Sequence, residues 1–334
     1  MGCPVSRDVG EAARVIRAGG LVGIPTETVY GLGANALDER AVARVFEAKN
    51  RPHFDPLIVH IPSVEHLDRY THSRPAVVAK LGEAFWPGPL TLVLPKRAVI
   101  SDLVTSGLET VAIRVPDHPL TLELLREADL PVAAPSANPF GCLSPTTAEH
   151  VADQLGERID FILDGGPCRV GVESTVLLVT EGSDGTVARL LRPGGVSVEE
   201  LEDVLGAGIL QSGFSGDEQS AREKADQPQT APGMLTRHYA PTTPLEIVDS
   251  FPVPQPVECF GALTFGHSDL PAGYVAVENL SESADLVEAA AGFFAALRRL
   301  DAQDLDRIFA RPFPENGLGR ALNDRLRRGS QTEE

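Results

Sequence analysis

Lys49 and Arg51, in Lys49-Asn50-Arg51-Pro52, stand a few residues ahead of the apolar run Leu57-Ile58-Val59-His60-Ile61. Lysine offers a point charge and arginine a bidentate fork, a combination suited to a polyphosphate. The same two cations, ending a helix before a proline, would also complement the helix dipole. His60 taken alone reads as an ordinary strand histidine. Arg114 sits inside the apolar pattern Val111-Ala112-Ile113-Arg114-Val115-Pro116. A buried guanidinium is costly unless it meets an anion or several acceptors, so this one calls for either a structural carboxylate or an anionic ligand. In Pro25-Thr26-Glu27-Thr28-Val29-Tyr30-Gly31-Leu32-Gly33, two hydroxyls and a carboxylate adjoin a glycine-rich turn. They would either line a small polar pocket or cap the next helix.

Further polar groups recur where apolar runs end. Ala134-Pro135-Ser136-Ala137-Asn138 is followed by Ser144-Pro145-Thr146. Asp164-Gly165-Gly166-Pro167, Glu173-Ser174-Thr175-Val176 and Leu191-Arg192-Pro193-Gly194 flank later runs. Strand ends are where α/β sheets bind ligands. Each block is weak alone; their joint occurrence at strand ends is not. Walker P-loop, zincin and nucleophile-elbow motifs are absent from the sequence. Gly31-Leu32-Gly33-Ala34-Asn35-Ala36 matches a loose dinucleotide fingerprint, but Pro25–Tyr30 separates it from the preceding strand, and that motif must sit directly at the strand-to-helix turn.

The elements that must position these residues follow from periodicity. Strands are predicted at Leu21–Ile24, Leu57–Ile61, Leu90–Leu94, Val111–Val115, Val132–Ala134, Phe161–Leu163, Thr175–Val179 and Val187–Leu191. Helical patterns cover Asp38–Lys49, Pro75–Phe85, His118–Ala128 and Thr147–Leu155. The result is a mixed α/β domain over residues 1–205. Residues 206–243 read as a linker, low in large apolar side chains over Gly206–Thr230 and then dense in distinctive ones over Ala231–Pro241. Over 244–330, strands at Leu245–Val248, Cys259–Thr264, Tyr274–Val277 and Leu305–Phe309 alternate with helices at Ala284–Leu300 and Leu318–Arg328. That alternation predicts a small parallel, Rossmann-like sheet.

Composition narrows the function classes. The 334 residues fit two domains. The net charge of −18 opposes sequence-blind nucleic-acid binding, which needs a basic face. The four cysteines are scattered, with no C-x-x-C pair, so neither a zinc site nor a disulfide framework is indicated. No apolar run reaches the roughly 20 residues of a membrane span, and no signal-peptide pattern is seen, so a cytosolic location is expected.

The ordered blocks P-T-E-T-V-Y-G-L-G, K-N-R-P, P-L-I-V-H-I, P-S-A-N, E-S-T-V, R-P-G and H-Y-A-P resemble the threonylcarbamoyl-AMP synthases, the YrdC-like family in its long two-domain form. The resemblance implies a mixed twisted sheet with a smaller Rossmann-like domain behind it. It implies a reaction joining L-threonine, bicarbonate or CO2 and ATP into threonylcarbamoyl-AMP with loss of pyrophosphate. A transferase complex would then carry the threonylcarbamoyl group to tRNA, so contact with tRNA is indirect. It further implies that Lys49, Arg51, Ser136 and Asn138 hold ATP and stabilise charge, with Thr110, Ser144, Arg192 and Tyr239 as further nucleotide contacts. Thr28, His60, Arg114, the backbone at Ala134, and Ser174 match the threonine pocket. Mg2+ is expected with ATP, and no carboxylate cluster predicts a protein-held metal. Where the family usually carries Asn, this chain has Asp55, expected to face Mg2+ or water or to weaken ATP binding. Ala231–Pro241 is expected to close over the nucleotide as a lid through Tyr239.

Two other functions fit parts of this pattern. The fold has also been linked with double-stranded RNA, which would make the chain a non-catalytic RNA-binding module. Fused YrdC-like domains act as carbamoyltransferases on a protein thiol, but zinc-finger and acylphosphatase companions are not visible here.

Overall fold

The computed structural model describes residues 2–72, 75–182, 185–206, 208–211 and 238–331. Within them, α1 (Val9–Arg17), α2 (Glu39–Lys49), α3 (Ala76–Phe85), α4 (Asp102–Thr105), α5 (Pro119–Ala128), α6 (Ala148–Leu155) and α7 (Val198–Leu205) accompany a large sheet. Its strands are β1 (Val5–Ser6), β2 (Val22–Ile24), β3 (Gly31–Asn35), β4 (Ile58–His60), β5 (Leu90–Pro95), β6 (Thr110–Arg114), β7 (Val132–Ala133), β8 (Phe161–Leu163), β9 (Thr175–Gly182), β10 (Gly185–Arg192) and β11 (Leu210–Gln211). They run in the order β1-β8-β2-β3-β7-β4-β6-β5-β9-β10-β11. Pairing is mixed: β4 lies parallel to β6, whereas β3 and β4 both lie antiparallel to β7. The α/β class and the mixed sheet are those read from the sequence.

β3 is the main departure. Its glycines make a poor strand former by propensity, and the sequence pattern treats them as a turn. They pair antiparallel with β2, Val22 opposite Gly33 and Ile24 opposite Gly31. A Cβ on Gly33 would lie 2.9 Å from Val132 Cγ1, and one on Gly31 would lie 3.1 Å from Ala134 Cβ. Close packing against the β7 segment therefore sets this choice of residue. The short β1 and β11, and the helices α1, α4 and α7, were likewise not among the predicted elements.

α2 illustrates how local sequence aims a functional pair. The Asp38 side chain accepts from the backbone N–H groups of Arg40 and Ala41, satisfying donors that a helix start leaves orphaned. Val42, Val45 and Phe46 face the core. Asn50 ends the helix in the left-handed conformation, φ 52°, which asparagine tolerates better than most residues. The chain reverses there, so Lys49 and Arg51 are both carried inward.

The second unit contains β12 (Leu245–Ile247), β13 (Phe260–Thr264), β14 (Ala276–Asn279) and β15 (Arg307–Ala310), with α8 (Leu286–Asp301) and α9 (Gly319–Gly329). All its pairings are parallel, in the order β12-β15-β13-β14. This is the small parallel sheet expected from strand–helix alternation. Its core, built on Phe293, Phe294, Leu297 and Leu322, also takes in Val29, Leu143 and Val172 from loops of the first sheet. A Cβ on Gly171 would lie 2.2 Å from the Ala290 carbonyl oxygen, so loop and helix pack backbone to backbone. No helix among the described residues is long and apolar enough to cross a membrane.

Candidate active site

A cleft opens at the large sheet, lined by residues of the first unit together with His238 and Tyr239. It holds about 520 Å3 of space not filled by protein atoms, open solvent at the mouth included. Its wall draws on Thr28, His60, Arg114, Ala134, Ser136, Ser174, Arg51, Arg192 and Tyr239 among the residues named from sequence.

One side of the cleft is built on adjacent strands. His60, at the end of β4, is register partner to Arg114 at the end of β6. Arg114 is buried and forms an ion pair with Glu27 Oε1 at 2.6 Å, while its Nε donates to the Gly88 carbonyl at 3.2 Å. The strand arginine thus has a structural carboxylate and still faces the cleft. Glu27 is itself buried, and its Oε2 accepts from the Asp117 backbone N–H. Sequence reasoning offered Glu27 as a pocket-lining or helix-capping carboxylate and did not pair it with Arg114. The need of Arg114 for a carboxylate was the available signal, but it did not say which of 47 acidic residues answers it. Thr28 is fully buried, its Oγ1 2.8 Å from that of Thr26. Ser174 shares a hydrogen bond of 2.8 Å with Thr91.

His60 is neutral. Burial, and then the Arg114 cation, push its pKa down to about 3. Its Nδ1 is buried with no hydrogen-bond partner among the described residues. A depressed histidine pKa means that, between about pH 6.5 and 3, the unfolded chain binds a proton that the folded chain refuses. This contribution to stability is therefore fully present above pH 6.5 and is lost as the pH falls. Urea unfolding midpoints should drop between pH 7 and pH 4.5, and a His60→Asn variant should drop by less. Equal pH slopes in the two proteins would show that His60 is not held neutral.

The other side is cationic. Arg51 is buried; its Nη2 lies 2.9 Å from Asp55 Oδ2 and donates to the Pro56 carbonyl, while Nε donates to the Asp55 carbonyl. Arg192, at the end of β10, donates through Nη2 to the Ser174 carbonyl at 2.9 Å and to Ser174 Oγ at 3.3 Å. Two guanidiniums are thereby fixed by backbone and carboxylate partners while remaining in the cleft wall.

Several residues named from sequence are not in that wall. Lys49 is buried, and its Nζ donates to the carbonyls of Ser136, at 2.6 Å, and Asn138. Burial first, and the Arg51 cation second, lower its pKa well below the ordinary lysine value. Where the resemblance expects Lys49 to hold ATP, its ammonium here clamps the P-S-A-N loop. Asn138 spans the Pro139 and Cys142 carbonyls through its amide nitrogen. Ser144 Oγ donates to Glu173 Oε1. Asp55, expected to face Mg2+ or water or to weaken ATP binding, is here fully buried against Arg51. Charge complementarity with a buried guanidinium outweighs hydration there. Thr110 opens β6 opposite Pro95 and is not among the residues lining the cleft.

Residues 212–237, including most of the segment read as a lid, lie outside the described residues. His238 and Tyr239, at its end, are buried and line the cleft. Burial, and then the cations of Arg51, Lys49, Arg328 and Arg192, hold the His238 imidazole well below the usual histidine pKa. The Tyr239 ring meets that of His238 edge-on, with centroids 4.1 Å apart. Glu173 also lines the cleft; sequence reasoning named its block at a strand end but gave it no site role.

Comparison with known proteins places the chain in a family. Residues 14–194 match a family model covering Sua5, YciO and YrdC proteins, described as telomere recombination, and residues 196–330 match the threonylcarbamoyl-AMP synthase C-terminal domain. The chain is 44% identical to the threonylcarbamoyl-AMP synthase of Bacillus subtilis, over 95% of this chain and 91% of that one. It is 44% identical to that of Pyrococcus abyssi, over 96% and 93%. A crystal structure of P. abyssi Sua5 complexed with L-threonine superposes with a TM-score of 0.85 at 40% identity, covering 98% of this chain and 97% of that one. A second P. abyssi Sua5 structure, with an adjacent His and Tyr replaced by alanines, gives 0.84 at 39% identity, covering 99% and 96%. With both halves matched along nearly their whole length, the chain belongs to the threonylcarbamoyl-AMP synthase family.

Proposed function

We propose that the chain is a nucleotidyltransferase that makes threonylcarbamoyl-AMP. The amine of L-threonine adds to CO2, from bicarbonate, to give a carbamate. A carbamate oxygen attacks the α-phosphorus of ATP, the bond to the bridging oxygen breaks, and pyrophosphate leaves. Arg114 pairs with the threonine carboxylate, and Thr28, His60, Ser174 and the Ala134 backbone surround the amino acid. Arg51, Arg192, Ser136 and Tyr239 hold the nucleotide. Lys49, Asn138 and Ser144 act behind them, fixing the loops. The chemistry needs little acid–base machinery, so positioning and fixed charge supply most of the catalysis.

The observation that carries this reading is the pairing, in one cleft, of Arg114 beside a neutral His60 with the two guanidiniums of Arg51 and Arg192. A purely RNA-binding role is poorly served by a net charge of −18. Among the described residues no group of three or more His, Cys, Asp or Glu side chains could hold a metal ion. Glu27 and Glu173 are committed to arginines. Mg2+ arriving with ATP would then take its ligands chiefly from phosphate oxygens and water. The product passes to a transferase complex that modifies tRNA, work that belongs to the cytoplasm. The deciding assay is pyrophosphate release: it should require L-threonine and bicarbonate together, and release that ignores either one overturns the reading.

Arg51→Ala tests the nucleotide side. Loss of a charged hydrogen bond to phosphate costs about 1.5–3 kcal/mol, or about 10- to 150-fold in kcat/KM for ATP. Because the change also removes the cation beside buried Asp55, it is best made alongside Asp55→Asn. Turnover at low ATP close to that of the Asp55→Asn parent would remove Arg51 from the site.

A further inference from the structure

We propose that Arg325, on α9 of the second unit, is a positioning residue for the nucleotide side of the cleft, acting through Glu173 and Tyr239. This rests on the threonylcarbamoyl-AMP reading of the site. Arg325 is almost fully buried. Its Nε donates to Glu173 Oε2 at 2.8 Å, and its Nη1 donates to the Pro193 carbonyl at 2.8 Å and to Asp324 Oδ2 at 2.7 Å. Its guanidinium carbon lies 5.1 Å from the centroid of the Tyr239 ring, within cation–π range. Glu173 and Tyr239 line the cleft, and Pro193 follows Arg192, which also lines it. One side chain from the second unit thus ties three separate segments of the cleft wall.

The segment around Tyr239 is in a conformation that needs holding. Tyr239 has φ 64°, in the left-handed region that bulky residues seldom adopt. It is kept there by the Ala240 N–H donating to the Gly141 carbonyl and by its ring packing against Phe294. α9 approaches so closely that a Cβ on Gly329 would lie 2.8 Å from the Tyr239 carbonyl oxygen. The Arg192–Gly194 turn packs as tightly, since a Cβ on Gly194 would lie 2.3 Å from the Glu173 carbonyl oxygen.

Charge gives the second reason. Glu173 presents a carboxylate in the wall of a cleft that must accept a polyanion. Unneutralised, it would repel the phosphates at short range and low dielectric. Ser144 Oγ donates to one oxygen of that carboxylate and Arg325 to the other. A pure docking contact would not need a guanidinium here, because buried ion pairs are often replaceable by apolar side chains without loss of stability. On this argument Arg325 screens Glu173, supports Ser144 through it, and sets the plane of Tyr239. The threonine side, built on Thr28, His60 and Arg114, is left to the first sheet.

The test uses the full chain with Arg325→Met, Arg325→Lys, Glu173→Gln and the Arg325→Met/Glu173→Gln pair. Pyrophosphate release is measured against ATP at saturating L-threonine and bicarbonate, and cooperative urea unfolding checks the fold. In Arg325→Met the KM for ATP should rise at least 10-fold, while the thermal shift induced by L-threonine stays within threefold in ligand concentration. Adding Glu173→Gln should recover at least threefold of the ATP loss, because the unscreened carboxylate is gone; a structural role alone gives no such rescue. Arg325→Lys should fall between wild type and Arg325→Met. An unchanged KM in folded Arg325→Met, or no recovery in the double variant, overturns the proposal. Loss of the fold in both Arg325→Met and Arg325→Lys would overturn it too, by making the residue structural. If wild type releases no pyrophosphate, the activity reading fails separately. The same comparison is then read from the thermal shift given by a non-hydrolysable ATP analogue.

Discussion

L-Valine should be used about 10⁴-fold less well than L-threonine, judged by kcat/KM for pyrophosphate release. The two amino acids have nearly the same shape and differ in a methyl for a hydroxyl. A hydrophobic pocket separates such isosteres by only about 10²-fold, whereas a site built to hydrogen-bond the hydroxyl leaves buried polar groups unpaired when it is missing. The proposed amino-acid side of the cleft is of the second kind. Thr28 and Ser174 are buried hydroxyls, and His60 Nδ1 is buried without a hydrogen-bond partner among the described residues. L-Serine keeps the hydroxyl and lacks one methyl, a loss of about 1–3 kcal/mol, so it should be the better of the two analogues. Comparable rates with valine and threonine would show that these polar groups do not read the substrate side chain.

Arg114→Ala should destabilise the protein by about 3–5 kcal/mol, the usual result of removing one partner from a buried ion pair. Glu27 is 2% exposed and would be left buried with no cation at its Oε1. The urea midpoint is the readout. The variant should also fail to bind L-threonine, which alone would not distinguish a lost contact from a weakened fold. Replacing both members, as Glu27→Gln with Arg114→Gln, separates the two effects: much of the stability should return while threonine binding does not. Threonine binding restored along with stability would leave Arg114 a structural residue only.

What could be read in advance follows from how local each cause is. α2 was legible from its Asp38 cap, its buried Val42, Val45 and Phe46, and the stop before Pro52, all within one segment. The parallel sheet of the second unit was legible for the same reason: strand and helix periods alternate along the chain, and short connections leave few arrangements. The boundaries moved by a residue or two, as at β14, read from Tyr274 and found from Ala276. β3 was not legible, because its glycines are required by the approach of Val132 and Ala134, which lie about a hundred residues later and cannot be read from local propensity.

The sequence by itself determined which chemistries were available. It specified cations, hydroxyls and a strand arginine at the ends of apolar runs, and no metal or nucleophile constellation. Tertiary structure alone decided which partner each side chain took. Lys49 spends its charge on carbonyls 87 and 89 residues away rather than presenting it in the cleft wall. Arg114 finds Glu27, Arg51 finds Asp55, and Arg325 reaches Glu173 across 152 residues. The physical reason is desolvation. A charge that folding carries out of water must be matched by whichever acceptor the packing brings within 3 Å, and that acceptor is chosen by the fold as a whole rather than by neighbours in sequence.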